Sequence, residues 1–414
     1  MANIFDIHAH PSLKTFVFGH DITTNHPHPA KDWNTIDAQV DLHSLKAGGI
    51  TTMVAVHYLI EKDFVDKWNP TIRLFSDIAQ WIIKKKVVEQ HTPAGKPMKQ
   101  LYEIMDSFED QIQKAGSKGF DVGIAKNLME LRIMLSQGKT VFLHSIEGAN
   151  CLNTLPDSET VCKHIEDFAE RGVCQFTIGH FEDNILVCSQ GGIPPHSKKT
   201  LGYKGALPDP EKELTDIGVD AVNKLLDLGI IIDMVHCTPA TRKQIIALNK
   251  LRSNRRPLVL SHTGLRSVAS KGEMGKKENG NYKYQQDLYY LPEDDEVKEI
   301  INTRGVIGVI FMNYWLNGTE EDNLIKTDRG IPSVVETMKK IRELEKQVDT
   351  KYDCDHIAIG TDMDGFTQRP DDLTSPSDIP HLIDALRNSD FTSDQIEKIT
   401  WKNYMRVLEL GWGN

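Results

Sequence analysis

Eight short apolar runs, each closing on a polar residue, divide the chain: "NIFDIHAH" (3–10), "ITTMVAVHY" (50–58), "KTVFLHSIEG" (139–148), "VCQFTIGH" (173–180), "GIIIDMVHC" (229–237), "PLVLSHTG" (257–264), "GVIGVIFMNY" (305–314) and "HIAIGTDMDG" (356–365). Each has the length of a strand and is rich in β-branched residues. Runs this continuous suit strands buried on both faces, as in a parallel sheet. The stretches between them carry helical patterns with recognisable ends. Thr238 before Pro239 predicts an N-cap with proline in the first turn, and "SVVE" (Ser333 to Glu336) predicts a capping box. Gly229 and Gly305 stand just past helical segments, where a left-handed C-cap is wanted.

Eight buried strands alternating with helices predict a (β/α)8 TIM barrel, a fold of ~250 residues that insertions extend beyond ~400. The competing arrangement is an open doubly wound sheet. No G-x-G-x-x-G follows the first run, which removes the usual mark of its dinucleotide-binding form. We therefore expect residues 1–414 to form one barrel domain, with insertions at about 60–137 (helical), 181–212 (Gly/Pro/Lys-rich) and 270–291 (polar). Such loops often serve as lids or specificity elements.

A net charge of −11 gives no basic footprint, so nucleic acid is not an expected partner. Lys84, Lys85 and Lys86 read as a solvated helix face. Six cysteines without paired spacing read as free thiols in a reducing compartment. With no apolar stretch near ~20 residues and no leader-like N-terminus, the expectation is a cytoplasmic protein with no membrane span.

The active sites of barrels lie at the C-terminal ends of the strands. The polar ends of the eight runs are His8 and His10, His57, Glu147, His180, His236, His262, Asn313, and Asp362 with Asp364. Residues i and i+2 of a strand point the same way, so His8 and His10 can grip one cation. Imidazole with carboxylate suits zinc or a similar divalent ion. With Glu147, His236 and His262 there are ligands for two metals ~3.5–4 Å apart, bridged by Glu147. Other candidates have plainer readings. His57 has no partner spacing, and His144 lies on the opposite pleat from Glu147, so both are expected in packing. His20, His26 and His28 read as a solvated loop, Cys237 as a small core residue, and Asp364 with Gly365 as a turn.

The stretches "DIHAHPSL", "HSIEGA", "GIIIDMVHCTPAT", "PLVLSHTGLRSVAS" and "HIAIGTDMDGF" occur in an order that resembles the membrane dipeptidase (renal dipeptidase) family of the amidohydrolase superfamily, from end to end of the chain. The resemblance implies a zinc-dependent dipeptidase with two Zn2+ per subunit, held by His8, His10, bridging Glu147, His236 and His262. It places a substrate-contacting histidine at His180 and the acid/base aspartate at Asp362, and it suggests a homodimer. Two positions depart from the family pattern. His8-Ala9-His10 stands where the family has His-x-Asp, which removes one negative charge. The arginine that receives the dipeptide carboxylate is replaced by Glu273, with Arg266 and Lys271 nearby. Arg266 and Asn313 are therefore carried as substrate-binding candidates beside His180.

The implied chemistry is amide hydrolysis by a metal-bridging hydroxide, with Asp362 moving the proton and His180 donating to the carbonyl oxygen. The same ligand set also fits an N-acyl amino acid amidohydrolase, a lactonase or a phosphodiesterase. A non-catalytic metal-binding barrel is the more distant alternative, since a scaffold needs neither His180 nor Asp362.

Overall fold

The computed structural model describes residues 3–26, 37–61, 96–189, 209–269, 277–278, 281–282, 289–317, 330–365, 370 and 372–413. Parts of all three expected insertions fall outside these residues, as do Lys84 to Lys86, His28, Lys271 and Glu273.

All eight apolar runs form strands. In chain order the strands are β1 (Ile4–Ala9), β2 (Ile50–Tyr58), β3 (Val122–Ile124), β4 (Thr140–Glu147), β5 (Val173–Thr177), β6 (Ile231–Asp233), β7 (Val259–Thr263), β8 (Lys277–Glu278), β9 (Asn281–Tyr282), β10 (Val306–Val309) and β11 (Ile357–Ile359). Parallel pairing runs β1-β2-β4-β5-β6-β7-β10-β11 and closes from β11 back onto β1. This is the closed (β/α)8 barrel. β3 is an addition the hydrophobic pattern did not reveal. It pairs with the start of β4, on the edge that β5 pairs further along, within a stretch expected to be helical, and its three residues are too few to show a period. β8 and β9 form a separate antiparallel pair.

Every barrel strand contributes to one inner cluster: Phe5 and Ile7, Val54 and Val56, Val141 and Leu143, Cys174, Ile231, Val259, Val306 and Ala358. The C-terminal helix Asn403–Gly411 closes this cluster from below with Tyr404, Val407 and Leu408. The Tyr404 ring meets Phe5 edge-on at 5.0 Å. A barrel filled this way is a rigid packed plug rather than a pore, which leaves its upper rim free for chemistry.

Outside the strands, apolar stripes at helical spacing do the packing. The helix Lys96–Ser117 buries Met98, Leu101, Ile104, Met105, Phe108, Ile112 and Ala115, with Phe108 against Phe142 of β4. Burial of each large side chain contributes roughly 1.5–3 kcal/mol before chain entropy is counted.

The expected helix ends hold in two places and shift in two. The Thr238 hydroxyl accepts from Thr241 N at 3.0 Å ahead of Pro239, and Gly229 takes φ 69°. "SVVE" is not a capping box: the helix starts earlier, at Ile331, because Pro332 takes the first turn, with Gly330 as N-cap. Ser333 is thus inside the helix, its hydroxyl accepting from Asn317 Nδ2 at 3.0 Å. Gly305 is not the left-handed residue either; Arg304 is, at φ 64°. Glycine is needed at 305 for another reason, since a Cβ there would lie 1.7 Å from the Leu258 carbonyl oxygen. Among the described residues, no helix is long and apolar enough to cross a membrane, and all six cysteines are free.

Candidate metal centre

Above the apolar plug the strand ends turn polar, and the backbone there is bent to aim side chains. His236 and Asp362 take left-handed conformations, with φ of 64° and 56°, just after β6 and β11. Such backbone is costly for a residue that is not glycine and concentrates where function over-determines geometry. On β1 the register against β2 shifts between Asp6 and Ala9, the stretch that carries His8.

The result is a buried cluster. His8 Nε2 lies 3.2 Å from His10 Nε2, and His236 Nε2 lies 3.3 Å from His262 Nε2. Glu147 reaches both pairs. Its Oε1 is 3.3 Å from His8, 3.6 Å from His262 and 3.8 Å from His236, and its Oε2 is 3.2 Å from His10. Asp362 Oδ1 is 3.2 Å from His10 Nε2 and 4.0 Å from His8 Nε2. Donor atoms within 4.8 Å of one another form three sets: His8, His10, Glu147; Glu147, His180, His236; and His8, His262, Asp362.

These spacings fit metal. Ligands at 2.0–2.1 Å around a tetrahedral ion are about 3.3 Å apart. Two facing ring nitrogens at that distance must share a proton or a cation. Among the described residues Glu147 Oε1 is buried yet takes no hydrogen bond, an expensive state for a carboxylate oxygen unless a cation completes it. Burial opposes charge on His10, but hydrogen bonds to Asp362 and Glu147 outweigh it and push its pKa up to about 10. A site that strains to hold a proton in this way offers the same negative potential to a metal.

His180 joins the rim from the loop after β5. Its Nε2 is 3.6 Å from Glu147 Oε2, and its Nδ1 is 2.6 Å from Glu61 Oε1. Glu61 is buried, also accepts from Phe181 N at 3.2 Å and takes the Tyr58 hydroxyl on its second oxygen. Sequence reasoning missed Glu61 and Tyr58. The available signal was position alone: Tyr58 closes the second run and Glu61 lies three residues beyond it, a strand end like the others. It also missed Trp315, whose ring stacks on His262 at 5.8 Å and meets His236 at 5.3 Å.

Two substrate-binding candidates stand apart from the cluster. Arg266 donates to Glu293 Oε1 at 2.5 Å and lies over the Tyr289 ring. Asn313 Oδ1 accepts from Gly330 N at 2.8 Å, anchoring the start of a helix. Among the described residues, no hydrogen bond or ion pair joins either to the ligand cluster.

The residues expected in packing are themselves buried and find close partners. His57 Nε2 meets His144 Nδ1 at 2.7 Å, and His144 Nε2 lies 3.2 Å from Glu109. Cys237 is buried among apolar neighbours. Asp364 does more than turn the chain: its carboxylate accepts from Gln39 N at 2.6 Å and Val40 N at 3.3 Å, tying a distant segment to the rim, and burial pushes its pKa up to about 6.

Comparison with known proteins adds the decisive observation. The family model described as "Membrane dipeptidase (Peptidase family M19)" matches residues 4–410. The chain belongs to the membrane dipeptidase family. Membership makes it a metal-dependent hydrolase. An uncharacterised protein from the region 5′ of pqqA in Klebsiella pneumoniae is 25% identical over 214 residues, 51% of this chain and 67% of that protein. The dipeptidase verJ of Clonostachys rogersoniana is 20% identical over 288 residues, 70% of this chain and 60% of its own length. A metallopeptidase from Rhodobacter sphaeroides, solved with a phosphinate mimic of the dipeptide L-Ala-D-Ala, superposes with a TM-score of 0.69 at 15% identity over 99% of both chains. At that identity the likeness speaks for the fold alone.

Proposed function

We propose that this member of the family is a two-zinc dipeptidase. The observation that carries the reading is the Glu147 carboxylate lying within 3.8 Å of two pairs of ring nitrogens, His8 with His10 and His236 with His262. Two zinc ions held there would supply an acidified water and a Lewis acid for the scissile carbonyl. Asp362, with Oδ1 facing the His8 and His10 pair, would take the water's proton and return it to the leaving amine. His180 has Nδ1 committed to Glu61 and Nε2 turned to the cluster, the posture of a donor to a carbonyl oxygen that becomes negative. Trp315 and Tyr58 wall the cluster with apolar surface, which strengthens each of these electrostatic contacts.

Recognition of the substrate's free carboxylate does not follow from Arg266, whose guanidinium is engaged by Glu293. The test is a panel of L,L and L,D dipeptides, N-acyl amino acids, lactones and phosphodiesters, assayed before and after chelation and after zinc is restored. The reading expects dipeptides to be turned over fastest, with activity lost on chelation and regained with zinc. Faster turnover of a lactone or phosphodiester, or chelator-resistant hydrolysis, would overturn it.

A further inference from the structure

Beneath the ligand cluster, one hydroxyl stands where three buried groups meet. Ser261 Oγ is 2.5 Å from Asp233 Oδ2, 2.8 Å from His8 Nδ1 and 2.8 Å from His262 Nδ1. All four side chains are buried. Asp233 is itself pinned: Thr177 Oγ1 donates to Oδ2 at 2.5 Å, and the backbone N–H groups of Ser261 and Val235 donate to Oδ1 at 2.9 and 3.2 Å.

A serine hydroxyl has one proton to give and two lone pairs to offer. An ionised carboxylate can only accept, so the Ser261 proton goes to Asp233. That leaves both lone pairs for ring N–H groups, one from each imidazole. His8 and His262 then both carry hydrogen on Nδ1 and present a bare Nε2 toward Glu147, at 3.3 and 3.6 Å from its Oε1. The two rings lie close enough to share the hydroxyl, with centroids 3.8 Å apart. His8 pairs with His10 and His262 pairs with His236, and both pairs reach the Glu147 carboxylate.

We propose that Ser261, backed by Asp233, is a positioning residue common to both cation positions. It sets the tautomer and ring angle of one ligand in each half, so a single hydroxyl couples the two halves. The inference rests on the two-cation reading above. Close packing of the backbone around β7 keeps the hydroxyl in place, since at Gly360, beside β11, a Cβ would lie 1.8 Å from the Ser261 carbonyl oxygen.

The test uses the full chain, stripped of metal and titrated with zinc against a chromophoric chelator, with native mass spectrometry to count bound ions. Wild type should take two equivalents. Ser261→Ala should weaken both by about 10- to 100-fold, the usual effect of removing a group behind a metal-bound histidine, and Ser261→Thr should restore both. In the metal-free protein, 15N imidazole shifts should show Nδ1-protonated His8 and His262 in wild type and mixed tautomers in Ser261→Ala. If Ser261→Ala fails to fold, Asp233→Asn should give the same two signatures. A two-equivalent wild type whose Ser261→Ala variant loses affinity at one position or neither, with tautomers unchanged, rejects the shared role. A wild type that takes up fewer than two equivalents instead rejects the two-cation reading beneath it.

Discussion

Asp362→Asn removes the group proposed to accept and return a proton while leaving the imidazoles and Glu147 in place. Turnover should fall by about 100- to 10,000-fold, the range carried by a positioned acid/base, with bound zinc unchanged by elemental analysis. Glu61→Gln should lower kcat by about 10-fold or more, one decade per 1.4 kcal/mol, with little change in KM, because it leaves His180 present but frees its tautomer. An equal fall of kcat in Glu61→Gln and Glu61→Ala, accompanied by loss of zinc, would show that Glu61 supports the fold rather than the orientation of His180. At this scale the sequence was legible wherever a candidate site residue closed an apolar run. His8, His10, Glu147, His236, His262 and Asp362 all sit at strand ends and meet in space. Glu61, Asp233 and Ser261 were not legible as partners because their role is a hydrogen bond across strands, and nothing in the spacing of residues 61, 180, 233 and 261 records it. The Arg266–Glu293 pair was illegible for a related reason: the charge of Arg266 was visible, but the Glu293 that engages it was not.

Among the elements, the loop after β6 that carries His236 is held by a buried ion pair. Arg242, on the helix Pro239–Lys250, donates from Nε and Nη2 to the two carboxylate oxygens of Glu296, at 2.8 and 2.9 Å, and from Nη1 to the carbonyl of Cys237 at 2.6 Å. Truncating one partner leaves a charge buried without company. Arg242→Met should therefore destabilise the fold by about 3–5 kcal/mol, whereas the double variant Arg242→Met with Glu296→Leu should recover most of the loss. Urea unfolding of the three variants measures this, and additive losses in the double variant would show that the pair is not the cause. Element ends were legible where a side chain caps its own helix, as at Thr238. They were misread where proline geometry or close packing decided instead, as at Gly330 and Gly305. Strand β3 escaped notice because it gains its identity from β4, not from its own three residues.

For the molecule as a whole, acid should act through the buried His57 and His144 pair. Burial holds both imidazoles below their ordinary pKa of 6.5, His57 strongly, with the neighbouring ring and Arg171 adding to the effect on His57. Glu109, on the helix Lys96–Ser117, faces His144 and is itself held low by that hydrogen bond and by Lys126. The native state thus binds fewer protons than the unfolded chain below pH 6.5, so stability is full above that pH and is lost as pH falls beneath it. In metal-free protein, His57→Gln should flatten the dependence of unfolding free energy between pH 5 and 6.5 by up to about 1.4 kcal/mol per pH unit. An unchanged slope would place the acid sensitivity elsewhere. The barrel itself was legible because eight continuous apolar runs admit few closed arrangements, and the convergence of distant side chains follows once the cylinder closes. That convergence on two cations is tested most directly by anomalous diffraction at the zinc edge from crystals of the zinc-loaded protein. Two peaks about 3.5–4 Å apart on either side of the Glu147 carboxylate are expected; one peak, or two that leave Glu147 or His262 uncoordinated, would contradict the account.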